Sequence, residues 1–450
     1  MRTKKIFLLL ALLCAVVQGA WAQPGHVPLT PIEAPCDINN TSDWQEFCSF
    51  VNDGESYSGK TVHLLADITV STMAGTSEGN SFKGTFDGCG HTLTFNCGNA
   101  GSAFNENYCA PFRYVNGATI KNLTVAGDIY TSRQFAAGLV AKSYGTTNIR
   151  NCRVGTVIYS SVDVDGTHGG IVVMPEGSLT IEGCAYTGRL LTNNGTNSCG
   201  GFVGWHNGAT VSISNSLYAP SGNMAEGWSS INDGATFVRG GSPTITNCYY
   251  TEPMGDVQGY QVYTNASADG IYKRVTAAGS DTYYAVCNIS GVDESYQKTG
   301  SAISVTPIVT CYGTTLTADE DYTCTFSPAT VQEAGDYTLT ITGTGSYSGT
   351  KTIQFRVEGS LLGEGTLESP YTISTADDWI YFCSDVNNGT NSYSGKFVKL
   401  TTDIEVSTMV GSSEENSFKG TFDGDGKTLT FNLGTAESAF NINRFFRVLS

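Results

Sequence analysis

Five short segments recur through the first half of the chain in one register: TIKNLTV from Thr119, NIRNCRV from Asn148, TIEGCAY from Thr180, SISNSLY from Ser212 and TITNCYY from Thr244. Their isoleucines, Ile120, Ile149, Ile181, Ile213 and Ile245, lie 29, 32, 32 and 32 residues apart. A fixed period of this length marks a repeat architecture, in which each unit buries its apolar face only against its neighbours. No helical spacing runs through the period. It holds β-type runs separated by polar or Gly-rich corners, with a second apolar stripe at Leu139, Ile171, Phe202 and Phe237. The spacing predicts an all-β chain wound into a right-handed parallel β-helix, each coil stacked on the last at about 4.8 Å.

Stacking puts like above like. Cys152, Cys184 and Cys248, with Ser216 in the same column, are read as small core residues rather than redox or metal groups. Asn122, Asn151, Asn215 and Asn247, with Gly183, fall at a bend, because Asn and Gly tolerate the left-handed backbone such a corner needs. Tyr186, Tyr218 and Tyr250 continue a column begun by Val125 and Val154, which favours packing over the alternative of a ring ladder stacking on sugars. SISNSLY lacks its Cys, and FVRGG (237–241) has displaced glycines, so one irregular coil is expected there.

A second kind of repetition joins the two ends of the chain. FKGTFDGCGHTLTFN (82–96) returns as FKGTFDGDGKTLTFN (418–432), 336 positions later. The match extends back to SDW at Ser42 and DDW at Asp377. Trp44, Phe47, Cys48 and Val51, like Trp379, Phe382, Cys383 and Val386, fall at i, i+3, i+4 and i+7, one apolar face of a short helix. Thr375 followed by Asp378 supplies an N-cap signal. Such a helix covers the open end of a stacked core. A tight turn through Asp87-Gly88, and again through Asp423-Gly424, then joins two strands. The duplicated stretch is a start-of-module signal, and the second copy begins a second β-helix. That copy reaches Ser450 after a coil or two, which predicts an incomplete module belonging to a longer array.

The ordered set Trp44…Phe47, YSGK (57–60), FKGTFDGCGHTL (82–93), ATIKNLTV (118–125), GGFVGW (200–205) and ITNCYY (245–250) resembles GLUG-motif β-helix proteins of the Bacteroidales type. These occur on cell surfaces and beside IgA-specific metallopeptidases. The resemblance covers about residues 36–260 and 366–450; it implies a surface or adhesin-like role and brings no catalytic residues with it. Between the modules, alternating runs such as YTLTIT and KTIQFRV with frequent turn residues read as a small β-sandwich. It resembles bacterial immunoglobulin-like domains of the MBG type through Asp321-Tyr322, Gly335-Asp336-Tyr337, Gly343-Thr344-Gly345 and Tyr347-Ser348-Gly349. The expected organisation is a signal peptide (1–22), a linker (23–35), a β-helix with its cap (36–260), a transition segment (261–290), an immunoglobulin-like β-sandwich (291–358), a linker (359–370) and an incomplete second β-helix (371–450).

The signal peptide follows from Arg2, Lys4 and Lys5, an apolar run too short to span a bilayer, and Ala20-Trp21-Ala22 before Gln23. Leu13 before Cys14 argues against lipidation. The expected location is secreted or outer cell surface, with no membrane-spanning segment. Removing the three basic residues takes the net charge from -17 to -20, which argues against nucleic acid as a partner. Thirteen cysteines remain, an odd number.

Catalytic signals are weak. The outward column Lys121, Arg150, Glu182, Ser214, Thr246 offers no carboxylate pair for acid–base work. HExxH, GxSxG and Walker patterns are absent. VDVDGTHGG (162–170) has two aspartates and a histidine but lacks the later ligands of a calcium loop, so a solvated corner is expected there. Asp87 and Asp423 are explained by turn geometry. No catalytic residue, cofactor site or metal site is therefore assigned. The reading is a non-enzymatic, adhesin-like surface protein whose partners are host glycans or surface proteins. The alternative is a carbohydrate-active β-helix enzyme, or an accessory module of a larger surface hydrolase.

Overall fold

The computed structural model describes residues 34–432, apart from 163–165, 194–197, 222–225, 232, 267–268, 278 and 280–281. Stacked parallel strands form a β-solenoid. One eight-stranded sheet runs through Asp37–Ile38, Thr61–Leu64, Thr85–Asp87, Thr119–Lys121, Thr146–Arg150, Ser178–Glu182, Thr210–Ser214 and Thr244–Thr246, every pairing parallel. The isoleucine column is its register: Ile120 faces Ile149, which faces Ile181, and so on through Ile213 to Ile245. A second eight-stranded parallel sheet runs from Ile68–Val70 to Tyr260–Gln261 and stacks Val125, Val154, Tyr186, Tyr218 and Tyr250. Three shorter sheets, of four, three and four strands, stack further segments of the central coils, one of them pairing Asp128–Thr131, Val157–Ser160 and Leu190–Thr192.

Corners obey backbone chemistry. Asn122, Asn151, Asn215 and Asn247 sit at φ of 53, 51, 52 and 51°, and Gly183 at 63°. The Asp87-Gly88 turn differs from expectation. It is a corner rather than a hairpin, since Thr85–Asp87 and Thr92–Phe95 belong to different sheets and each pairs with the coil above. Asp87 stabilises this corner by accepting from the Cys89 N–H at 3.0 Å and from the Asn122 amide of the next coil at 3.0 Å.

The interior ladders are filled as the columns required. Cys152, Cys184 and Cys248 are fully buried, and each coil hands a hydrogen bond to the next: the Cys152 N–H donates to Cys184 Sγ at 3.4 Å, and the Cys184 N–H to Ser216 Oγ at 3.1 Å. The tyrosine column is also interior. Its rings fit because the coil opposite carries glycine, where a Cβ on Gly170 would stand 2.8 Å from the Tyr186 ring and 2.0 Å from Gly201 O.

Helix α1 (Thr41–Asn52) closes the first coil. Asn40 caps it, and Trp44, Phe47, Cys48 and Val51 are its buried residues. Trp44 meets Phe86 and Phe112 edge-on at 6.0 and 5.7 Å, and its indole N–H donates to Thr72 O at 3.1 Å. Helix α2 (Ala376–Asn387) repeats the arrangement, with the Thr375–Asp378 capping box formed. Beneath it Tyr371–Ile373, Phe397–Leu400 and Thr421–Asp423 pair in parallel, as do Ile404–Val406 and Leu429–Phe431. Asp423 holds its corner as Asp87 does, accepting from the Asp425 N–H at 2.9 Å.

Between these parts the strands turn antiparallel. Tyr272–Val275 pairs with Tyr283–Val286 and with Tyr347–Ser348, so the stretch expected as a transition is joined by pairing to residues beyond 291. Tyr322–Ser327, Gly335–Gly343 and Thr350–Glu358 form an antiparallel sheet, with Ser295–Gln297 added in parallel at its edge. Their apolar cluster also takes in Ala185, Leu217 and Tyr249 of the solenoid, so the region rests on the solenoid flank.

Candidate functional site

Among the described residues no group of three or more His, Cys, Asp or Glu side chains could hold a metal ion. The aspartates of VDVDGTHGG fall at 163 and 165, outside the described residues. His168 corrects the expectation of a solvated corner. It lies in the strand Thr167–Gly169, is 1% exposed, and accepts from the Ala136 N–H at 3.2 Å while its other ring nitrogen meets Ser160 Oγ at 2.8 Å. Burial pushes its pKa down to about 3, so it is neutral at physiological pH. The sequence placed His168 by its acidic neighbours, whereas its strand position turns it inward.

The outward column of the first long sheet forms ladder ion pairs. Lys121 meets Asp87 at 3.1 Å and Arg150 meets Glu182 at 3.6 Å. These are pairs of opposite charge across neighbouring coils, worth little each at such exposure.

With Tyr186, Tyr218 and Tyr250 turned inward, the outward rings come from residues that the repeats did not single out. Among the described residues, three clusters of such rings carry stacking or cationic contacts. In the first, Tyr108 stacks on Phe135 at 4.9 Å, and Lys142, 7% exposed, lies 5.7 Å over Tyr108 and 5.5 Å over Tyr144 while pairing with Glu176. The lysine fills its own cage. In another, Tyr260 stacks on Tyr312 at 4.4 Å beside Tyr249, and these rings join the solenoid to the antiparallel region.

The remaining cluster gathers around Trp228. Tyr130 and Tyr159 are register partners on adjacent coils and stack at 4.4 Å, 10° from parallel. Trp228 meets both at steep angles, 70° at 5.2 Å and 75° at 6.4 Å. A ring seated on the outer face of one tyrosine would lie far from the other, so the two tyrosine edges instead abut the indole face. Trp228 is held by its neighbours: Ser229–Ser230 pairs antiparallel with Leu191–Thr192, and Ser229 Oγ donates to Thr192 O at 3.1 Å. The irregularity lies in this antiparallel pairing, between SISNSLY and FVRGG, whereas both of those segments keep parallel register.

Polar groups border the rings. Asp128 is exposed on the Tyr130 strand, two residues before it and on the same face. Partial desolvation by the neighbouring coil raises its carboxyl pKa and that of the Tyr159 phenol, and the nearby Asp128 adds to the latter shift. Arg189 forms an ion pair with Glu252 at 3.3 Å. The pair lines a small cavity of about 120 Å³ with Tyr218, Ser230 and Met254. That volume holds a ring substituent or a few waters, not a whole ligand.

A solved structure from Bacteroides ovatus, described provisionally as an immunoglobulin A1 protease, is similar over 55% of this chain and 82% of its own, at 18% identity and a TM-score of 0.30. Likeness at that level carries no argument about activity. No family model and no curated protein matches the chain.

Proposed function

We propose that this chain is an exported, cell-surface repeat protein, adhesin-like in use, whose stacked coils hold a rigid outer face toward host or glycan ligands and which performs no catalysis itself. The observation that carries the reading is the division of side chains in the solenoid. Inward columns are filled by Ile, Cys and Tyr, while half-buried rings and ordered ion pairs occupy an outer face. A binding face needs such pre-ordered groups, since ordering them at the moment of binding would cost affinity. The secretory pattern of residues 1–22 and the GLUG-type and MBG-type resemblances support the surface setting. On this reading residues 291–358 are an immunoglobulin-like spacer, and residues 371–450 begin a second β-helix.

Purified protein applied to a glycan array and to immobilised host surface proteins, with a reducing-sugar assay and a peptidase assay in parallel, tests the proposal. Binding without turnover is the expected result. Turnover of any bound polysaccharide or protein overturns it in favour of a hydrolase.

A further inference from the structure

We propose that Trp228, backed by the Tyr130–Tyr159 stack, is the platform of a carbohydrate site that takes one pyranose ring, with Asp128 and the Arg189–Glu252 pair holding its hydroxyls. The inference rests on the ligand-presenting reading above and names where that ligand sits and what it is.

A pyranose presents a flat face of C–H groups and a rim of hydroxyls. Its face suits an aromatic plane, and its rim suits charged hydrogen-bonding groups beside that plane. Trp228 has one indole face set against two tyrosine edges and remains half-buried, so the ring is oriented before any ligand arrives. Its orientation costs nothing at binding. Ser230, two residues further along, lines the small cavity with Arg189 and Glu252, which places a rim of polar groups next to the platform. Asp128 supplies an acceptor in the same column as Arg189, because Asp128 pairs with Val157 and the next residue, Ile158, pairs with Leu190. The cavity of about 120 Å³ suits one substituent of the ring. Charge also discriminates. Arg189 offsets Glu252, so Asp128 leaves the rim with one net negative charge, and a neutral or amino sugar is favoured over a sulfated or uronic one.

Neither of the other ring clusters carries this inference. The Tyr108 cluster is occupied by Lys142, and the Tyr260–Tyr312 stack is used to join two parts of the chain.

The test measures the full chain and the variants Trp228→Ala, Tyr159→Ala and Asp128→Asn against neutral and acidic oligosaccharides by glycan array and calorimetry. Circular dichroism and unfolding midpoints confirm that each variant folds. Trp228→Phe, which keeps an aromatic plane, guards against a purely structural loss. The expected result is binding of a neutral or amino sugar that weakens about tenfold or more in Trp228→Ala and is largely retained in Trp228→Phe. Glycan binding that is unchanged in Trp228→Ala and Tyr159→Ala overturns this site and leaves the ligand-presenting reading standing. Binding of host proteins with no glycan on the array overturns the carbohydrate assignment while that reading survives. No binding of either kind overturns both.

Discussion

His168 shows how a single side chain is fixed by the coil around it. Its ring accepts from Ala136 N–H, so a proton added there would face a donor inside the core. The folded-state pKa is depressed from an unfolded value near 6.5 to about 3. The unfolded chain therefore binds the extra proton first, and stability is lost as pH falls below about 6.5. Between pH 7 and pH 5 this one group should cost about 2 kcal/mol. Urea unfolding at the two pH values checks it: His168→Gln should flatten the difference, and an equally steep loss in that variant would assign the acid sensitivity elsewhere. The thiol ladder makes a second residue-scale prediction. Cys152, Cys184 and Cys248 should resist alkylation until the protein unfolds, whereas exposed Cys89 labels natively, slowed because burial and the adjacent Asp87 raise its thiol pKa. Cys184→Ser should cost only about 1 kcal/mol, since Ser216 already fills that column; Cys184→Asp buries an unpaired charge and should cost several times more. Mass spectrometry of pulse-labelled protein with denaturation of both variants decides it, and rapid native labelling of the three would break the proposed column.

The two cap helices are nearly the same element in two settings. In α1 the first-turn Asp43 is only half-buried and accepts from Asn39. Its counterpart in α2, Asp378, is fully buried, because the antiparallel region sends Lys298 onto it at 2.7 Å. Lys298 also meets Glu333 at 2.8 Å and Ser374 at 2.6 Å. Burial alone would lower its pKa, yet the bonds to Asp378 and Glu333 outweigh that and hold it above the usual lysine range. Lys298→Ala leaves Asp378 buried without its cation and should destabilise by about 3 kcal/mol or more. Asp43→Asn, at the half-buried equivalent, should cost under about 1 kcal/mol. Calorimetric unfolding of the two variants separates them; equal losses would mean that the burial of Asp378 contributes nothing to α2. The helices themselves were legible from Trp44, Phe47, Cys48 and Val51 and their later copies, because a 3.6-residue period shows in any sequence. The clamp was not, because Lys298 and Asp378 are eighty positions apart and follow no pattern. Trp228 escaped for the same reason: it lies two residues before Ser230, which ends the column Tyr130, Tyr159, Leu191, and no identity repeats there.

At the scale of the molecule, periodicity decides what can be read and also what holds. Where like stacks on like, as at Ile120 to Ile245, the register follows from the sequence alone; in residues 271–358, with antiparallel pairings, no period exists to reveal the partners. The same logic ranks the stability of the parts. In the first module Phe86, Leu93 and Phe95 are sealed by the coil that stacks on them, whereas their counterparts Phe422, Leu429 and Phe431 are only half-buried. Solenoid stability is a sum over neighbour interfaces, so coils with fewer covered neighbours open first. Brief digestion with a broad-specificity protease should therefore cut first beyond about residue 360 and leave a fragment carrying residues 36–260. The exposed side of α2's coils should be protected last on refolding, as seen by hydrogen exchange at Phe422 and Leu429. Protection of residues 371–432 that outlasts that of residues 119–250 would show that coil stacking does not set the order of unfolding in this chain.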